Sequence, residues 1–321
     1  MSVTEPRLVD MRVDLGGAQL ISPVLTASGC AAAGRELDRF FDITSIGAVV
    51  TKSIMLEPRS GRPTPRMAET PSGMLNSIGL QGPGVDEFIE KDLTWLRNRG
   101  AEVVVSIAGG SVNEFAEVAA RLRHEPGIAA LEVNISCPNV EQRGQVFACD
   151  PRAAASVLHA VRRNTSASKP IFAKLSPDVT EIVPVAESVI ASGADGLSMI
   201  NTTLGLVINT DTMRPALAGL TGGLSGPAIR PIALRCIWQV RQAMPDVPIL
   251  GMGGINSGLD ALQFLLAGAH AVSVGTATFH DPSAPLRIQD ELATALADRG
   301  FRSVREAVDF AHRADGFEGL L

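Results

Sequence analysis

The sequence predicts an α/β fold, a single (β/α)8 TIM barrel with long active-site loops after strands 2 and 6, from three observations. Short β-branched runs alternate with helical stretches of ten or more residues, the pattern of βα units around a parallel sheet. Several of these runs are continuously apolar, as strands buried on both faces are. No shift in composition divides the 321 residues, a length that one barrel commonly uses.

The first strand is expected at 22–27 (SPVLTA), and the gap 28–46 is expected to supply a helix around RELDRFFDI. GAVVTK (47–52) leads through a long connection, 53–84, to a helix at 85–98 with Phe88, Ile89, Leu93 and Leu96 on one side. EVVVSIAG (102–109) precedes a helix at 112–124, ALEVNIS (130–136) one at 151–164, and PIFAKLS (170–176) one at 179–192. After GLSMIN (196–201) comes a second long connection, 202–226, then a helix at 227–243 with Pro227 suited to its first turn. PILGMGG (248–254) with a helix at 257–267, and AVSVGTA (271–277) with a helix at 284–298, complete the eight units. NRGAEV, ASGADG and LAGAHA place a glycine just past a helix, where φ > 0 is needed. The barrel is assigned to 1–312 and a C-terminal tail to 313–321.

Apolar residues make up 45% of the chain and charged ones 19%, so a large core is available. A net charge of −6 argues against binding nucleic acid, which rests on phosphate neutralisation by Lys and Arg. No apolar run reaches about 18 residues, so no membrane span is expected. The N-terminus, MSVTEPRLVDMRVDLGG, has no apolar signal-peptide core. The four cysteines form no CxxC pair and the five histidines are scattered. No metal site is expected, and a cytoplasmic protein with reduced thiols is.

In a barrel, chemistry collects at the C-terminal ends of the strands and in long loops there. Those positions carry Ala27-Ser28-Gly29, Lys52, Asn134 with Cys137 and Asn139, Lys174, Asn201, Gly253-Gly254 and Gly275-Thr276. Two lysines, three amides and a thiol on one rim describe a polar ligand site. GMGGINSG and VSVGTA place glycines where backbone N–H groups can approach an anion, each before a helix N-terminus, and TGGLSGPAIR (221–230) adds a third glycine-rich stretch. Together they point to a phosphorylated ligand or cofactor. Lys174 is open to four readings: a Schiff-base lysine, a phosphate contact, a charge beside a cofactor ring, or an ion pair with a nearby acid. Lys52 has a similar range. Cys137 sits between asparagines that are costly to bury unpaired and that offer both donor and acceptor to a planar amide-like substrate. A thiol there, with a pKa of about 8.5 open to adjustment, can act as a general base. Cys30, Cys149 and Cys236 lack such neighbours.

LTASG (25–29), VVTKSI (49–54), MLNSIGLQGPG (74–84), NISCPN (134–139), FAKLSPD (172–178), MINTTLG (199–205), GGLSGPAIRPIALR (222–235) and GMGGI (251–255) together resemble the class 1 dihydroorotate dehydrogenases, over residues 11–312. The resemblance implies an FMN-binding barrel that oxidises dihydroorotate to orotate in de novo pyrimidine biosynthesis. By it, Cys137 takes the proton from substrate C5 while hydride passes from C6 to flavin N5. Lys52, Asn76, Asn134, Asn139, Asn201 and Thr202 would bind the substrate, with backbone groups of Ile78, Gly79 and Leu80. Ala27, Ser28, Lys52, Asn134, Ile200 and Lys174 would contact the flavin, and Gly226, Gly253, Gly254, Gly275 and Thr276 its ribityl phosphate. The cysteine at 137, in place of serine, and the early start of the barrel disfavour class 2. NSIGLQ and GGLSGPAIRPIALR resemble class 1B, which implies a homodimeric core and a separate electron-transfer subunit with FAD and a [2Fe–2S] cluster, passing electrons to NAD. The chain itself lacks iron–sulfur spacing and a GxGxxG after its first strand. It departs from the 1B pattern at Gly82, commonly asparagine, and in EQRGQVFACDP, which is less glycine-rich and adds Cys149.

The alternatives are a fumarate-dependent class 1A enzyme, a pyrimidine-base reductase, and a Schiff-base aldolase using Lys174. The aldolase would explain the phosphate loops but leaves Cys137 and the asparagines without a role. A tRNA dihydrouridine synthase is disfavoured by the acidic charge and by the lack of a basic C-terminal region.

Overall fold

The computed structural model describes residues 9–136, 138–139 and 145–313, with backbone only at 138, 139, 145 and 146. All eight expected strands form, each inside its expected range. They are β1 (Val24–Thr26), β2 (Val49–Val50), β3 (Val103–Ile107) and β4 (Ala130–Asn134), then β5 (Ile171–Leu175), β6 (Gly196–Met199), β7 (Ile249–Met252) and β8 (Ala271–Val274). They pair in parallel in the order β1-β8-β7-β6-β5-β4-β3-β2. A parallel bridge between Leu25 and Ala48 closes the ring, with Gly47 N–H donating to Val24 O at 2.7 Å and Thr26 N–H to Ala48 O at 3.2 Å. A closed ring leaves no strand edge exposed.

The larger part of the core lies between this ring and the helices outside it, where each apolar helix stripe meets the outward side chains of the strands. Inside the ring, Leu25, Val50, Val104, Phe172 and Leu250 pack together with Leu15 and Leu20. Those two leucines belong to an N-terminal hairpin, Val13–Leu15 with Ala18–Leu20. Gly16 at its turn approaches Phe172, Asp195 and Pro248, at the strands' N-terminal ends. The hairpin therefore plugs the bottom of the barrel and leaves the opposite mouth for chemistry.

The helix expected around 35–43 is a correction: only two 3-10 turns form there, Leu37–Arg39 and Ile43–Ser45. Ala32 and Gly34 take φ of +46° and +86°, so a right-handed helix cannot begin before residue 35. Asp42 is extended, and its carboxylate accepts from Thr44 N–H, capping the second turn. Seven residues remain between those stops, too few for a stable α-helix. The other helices form near their expected ranges, although the one expected at 179–192 runs Val183–Ala191, the one at 227–243 opens with a 3-10 turn at Pro227–Ile229, and 85–99 contains a π stretch at Phe88–Leu93. Among the described residues no helix is long and apolar enough to cross a membrane.

The two long connections build one antiparallel sheet over the mouth, in the order Thr203–Gly205, Gly222–Ser225, Gly73–Asn76, Met67–Thr70. Residues 151 positions apart in sequence become neighbours there, as Met74 and Ser225 do.

Near the barrel's bottom, His270 Nδ1 accepts from Ile249 N–H at 3.2 Å and lies 3.2 Å from Arg241 Nη2. Burial, and then the neighbouring Arg241 cation, push the His270 pKa down to about 4. A depressed histidine is neutral when folded and takes up a proton on unfolding between pH 6.5 and 4. Its stabilising contribution is complete above pH 6.5 and is lost as pH falls toward 4. His270→Gln is expected to flatten the pH dependence of thermal stability in that window by roughly 3 kcal/mol, from about 1.4 kcal/mol per unit. Parallel melting curves for variant and parent across pH 4–7 would refute the assignment.

Candidate active site

The polar rim expected from the sequence converges on a single cavity of about 1340 Å³ at the C-terminal mouth. That exceeds the 300–1,000 Å³ usual for one small ligand, which suits a nucleotide-sized cofactor beside a small substrate. Every expected site residue whose side chain is described lines it. Cys137 lies outside the described residues. For Asn139 only the backbone is described, in the short pairing of Pro138–Asn139 with Gln145–Val146. The chain on either side is tied down: Ser136 N–H donates to Asn134 Oδ1 at 3.3 Å, and Ala148 N–H to Ile135 O at 3.0 Å.

The amides at the strand ends are held by one another. Asn201 Nδ2 donates to Asn134 Oδ1 at 3.1 Å, and Thr202 N–H to Asn201 Oδ1 at 2.8 Å. Asn134 Nδ2 donates to Ser53 Oγ at 3.1 Å. Each Nδ2 then keeps one N–H for a ligand acceptor. Asn76 Nδ2 reaches Gly223 O at 3.4 Å, joining the two long connections at the cavity wall.

Lys174, on β5, is 5% exposed and pairs with Glu132 of β4, Nζ to Oε1 at 3.3 Å. Of the four readings open for this lysine, the ion pair is therefore present, and the lysine still lines the cavity. A Schiff-base lysine must offer a free amine, whereas this one is engaged as a fixed cation. Lys52 also lines the cavity, beside Gly29.

The glycines singled out as an anion cradle all line the cavity. Gly226, Gly253 and Gly254 have φ of +95°, +133° and +77°. A Cβ on Gly254 would stand 2.6 Å from Gly226 O, so the two loops touch through bare backbone. Arg230 braces them, bonding Asp260 at 2.6 Å and Gly254 O at 3.3 Å. Thr276 Oγ1 donates to Ser225 Oγ at 2.8 Å, tying the loop after β8 to the sheet over the mouth. Gly254→Ala is expected to cost about 2–4 kcal/mol, from the left-handed φ and the clash, and to weaken retention of a phosphate-bearing ligand. Denaturant melts and ligand content of the purified variant check this.

Gly82, where the sequence departs from the 1B pattern, is pinned by two backbone hydrogen bonds with Arg59, at 2.9 and 3.0 Å. A Cβ there would meet nothing within 4 Å. The side chain at 82 is thus not what holds this loop.

Sequence reading passed over Ser53, Ser106 and Glu132, which lie under the rim and are 2%, 0% and 0% exposed. The available signal was Glu132 itself, a carboxylate inside the apolar run ALEVNIS, because such groups are almost never buried unless paired. Cys30 also lines the cavity. Burial raises its thiol pKa to about 11 against the pull of Lys174 and Lys52, so it stays protonated. Cys236 is buried in its helix as packing.

A model of the dihydroorotate dehydrogenase family matches residues 10–296. A protein of Geobacter sp. (strain M21) named dihydroorotate dehydrogenase B (NAD+), catalytic subunit, is 51% identical over 299 residues, covering 93% of this chain and 97% of its own. Proteins of the same name from Geotalea daltonii and Geobacter sulfurreducens are 51% and 50% identical with the same coverage. The match spans the whole barrel and both connections that roof its mouth, and on that extent the chain belongs to the dihydroorotate dehydrogenase family.

Proposed function

We propose that this chain is the flavin-bearing catalytic subunit of an NAD-linked dihydroorotate dehydrogenase, oxidising dihydroorotate to orotate in pyrimidine biosynthesis with FMN as its flavin. The observation that carries the reading is one cavity shared by a fixed cation, a cluster of asparagine amides and a bare-backbone glycine cradle. These are the groups that an electron-rich ring, a pyrimidine carboxylate and a phosphate respectively need.

The residues present fit FMN. Gly226, Gly253, Gly254, Gly275 and Thr276 would hold the phosphate through backbone N–H groups and a hydroxyl. Lys174 would set a positive charge beside the ring, with Ala27, Ser28 and Ile200 along it. Bound FMN supplies a two-electron acceptor able to take hydride from carbon. The remaining work falls to the chain. Asn76, Asn134, Asn139 and Asn201 orient the substrate through its carbonyl, ring N–H and carboxylate groups, and Lys52 and Thr202 complete the contacts. Cys137 removes the proton from substrate C5. The sheet over the mouth limits water at the reacting carbons.

The relatives' designation as catalytic subunits linked to NAD supports a separate electron-transfer polypeptide, expected to carry FAD and a [2Fe–2S] cluster, on a homodimeric core. The test is anaerobic. The purified chain is mixed with dihydroorotate, and fumarate and NAD are then tried separately as oxidants. Bleaching by dihydroorotate, with no NAD turnover until a partner is added, is expected. Reoxidation by fumarate alone would move the enzyme to class 1A, and a protein that cannot be loaded with FMN would overturn the reading.

A further inference from the structure

Glu132 sits mid-strand in β4 with no exposed surface, inside a ring whose lower interior is apolar. A lone carboxylate there would be strongly penalised by desolvation. Its Oε1 takes the Lys174 ammonium at 3.3 Å and the Ser106 hydroxyl at 3.0 Å, while Oε2 has no hydrogen-bond partner among the described residues.

That carboxylate sets the direction of a chain of hydrogen bonds. A carboxylate only accepts, so Ser106 donates to it. Ser106 Oγ is then the acceptor for Ser53 Oγ, 2.9 Å away. With its proton so committed, Ser53 accepts from Asn134 Nδ2 at 3.1 Å and from Ser28 Oγ at 3.2 Å. Asn134 is thereby fixed with Nδ2 toward Ser53 and Oδ1 toward Asn201 Nδ2. Asn201 in turn accepts from Thr202 N–H. Every link from barrel interior to rim runs one way, and the two asparagines are left presenting N–H donors.

We propose that Glu132 is a positioning residue: through Ser106 and Ser53 it dictates which face of the Asn134 and Asn201 amides meets the substrate, and through Lys174 it sets the charge beside the flavin. The inference rests on the flavin and pyrimidine-acid reading of the cavity. Neutralising Glu132 leaves the Lys174 cation uncompensated and favours the reduced flavin. Removing the Ser106 hydroxyl cuts the amides off from their anchor without changing the charge.

Two variants are measured as FMN-loaded proteins. Reduction potential is read by dithionite titration against reference dyes, which needs no substrate. Orotate affinity is read from the perturbation of the flavin spectrum. Glu132→Gln is expected to shift the two-electron reduction equilibrium at least tenfold toward the reduced form, about 30 mV. Ser106→Ala is expected to weaken orotate binding about tenfold while leaving the potential in place. A merely structural role would move neither potential nor affinity selectively. An unchanged potential in Glu132→Gln, or parental orotate affinity in Ser106→Ala, overturns the proposal. If Glu132→Gln does not load FMN, the Ser106→Ala affinity decides it alone. A parent protein that binds no orotate would instead defeat the functional reading, while the substrate-free potential still tests the role of Glu132.

Discussion

Serine in place of Cys137 is expected to leave FMN bound and to slow flavin reduction by dihydroorotate about 10²–10⁴-fold at neutral pH, the range spanned by a positioned general base. A thiol with a pKa of about 8.5 is close enough to neutrality to exchange a proton, and a hydroxyl is far harder to deprotonate. The neighbouring chain is already organised for such a group. Ser136 lines the cavity and is tied to Asn134, and the Ile135–Ala148 hydrogen bond closes the base of the loop. In the proposed function substrate binding rests on other residues and hydride acceptance on the flavin, so orotate affinity should change little. Stopped-flow mixing under anaerobic conditions reads the rate directly. A variant that bleaches as fast as the parent would remove Cys137 from the reaction.

Lys174→Ala is expected to be the most damaging substitution in the cavity at the barrel mouth. It strips the partner from a carboxylate with no exposed surface. Breaking a buried pair from one side costs about 3–5 kcal/mol, and, on the proposed function, the variant should also lose the positive charge beside the flavin. Purified protein should therefore be colourless or weakly coloured and melt well below the parent. Replacing both partners, Lys174→Met with Glu132→Leu, should recover most of the stability, because apolar residues of similar size can substitute for such a pair. Flavin retention should not return with it. Equal melting temperatures for Lys174→Ala and parent would show that the pair contributes nothing to folding.

How much of this was legible beforehand depends on the range of the interactions concerned. The strands could be read because each is a local run whose burial on both faces demands apolar side chains, and the helices because their glycine stops and apolar stripes are local too. The rim residues followed from one topological rule, that barrel chemistry sits at strand C-termini. Lys174 and the glycines at the mouth were found in this way, Cys137, picked out by the same rule, lies outside the described residues, and the family resemblance gave each of them an expected role. The helix around 35–43 misled because its pattern was apolar enough, while left-handed residues upstream and the Asp42 cap left it too little length.

The sequence by itself therefore determined the eightfold barrel, the family, and the residue types at the mouth. The tertiary structure decided what those residues are connected to. Ser53, Ser106 and Glu132 come from three different strand regions, and no spacing relates them. Only the parallel pairing of β2, β3 and β4 brings Ser53 Oγ to 2.9 Å from Ser106 Oγ, and Ser106 Oγ to 3.0 Å from Glu132 Oε1. The roof over the cavity is likewise made from two segments nearly 150 residues apart, whose glycine-rich strands carry little signal alone. Parallel pairing inside a barrel turns distant positions into neighbours, so the chemistry-bearing side chains were readable singly and their hydrogen-bonded order was not.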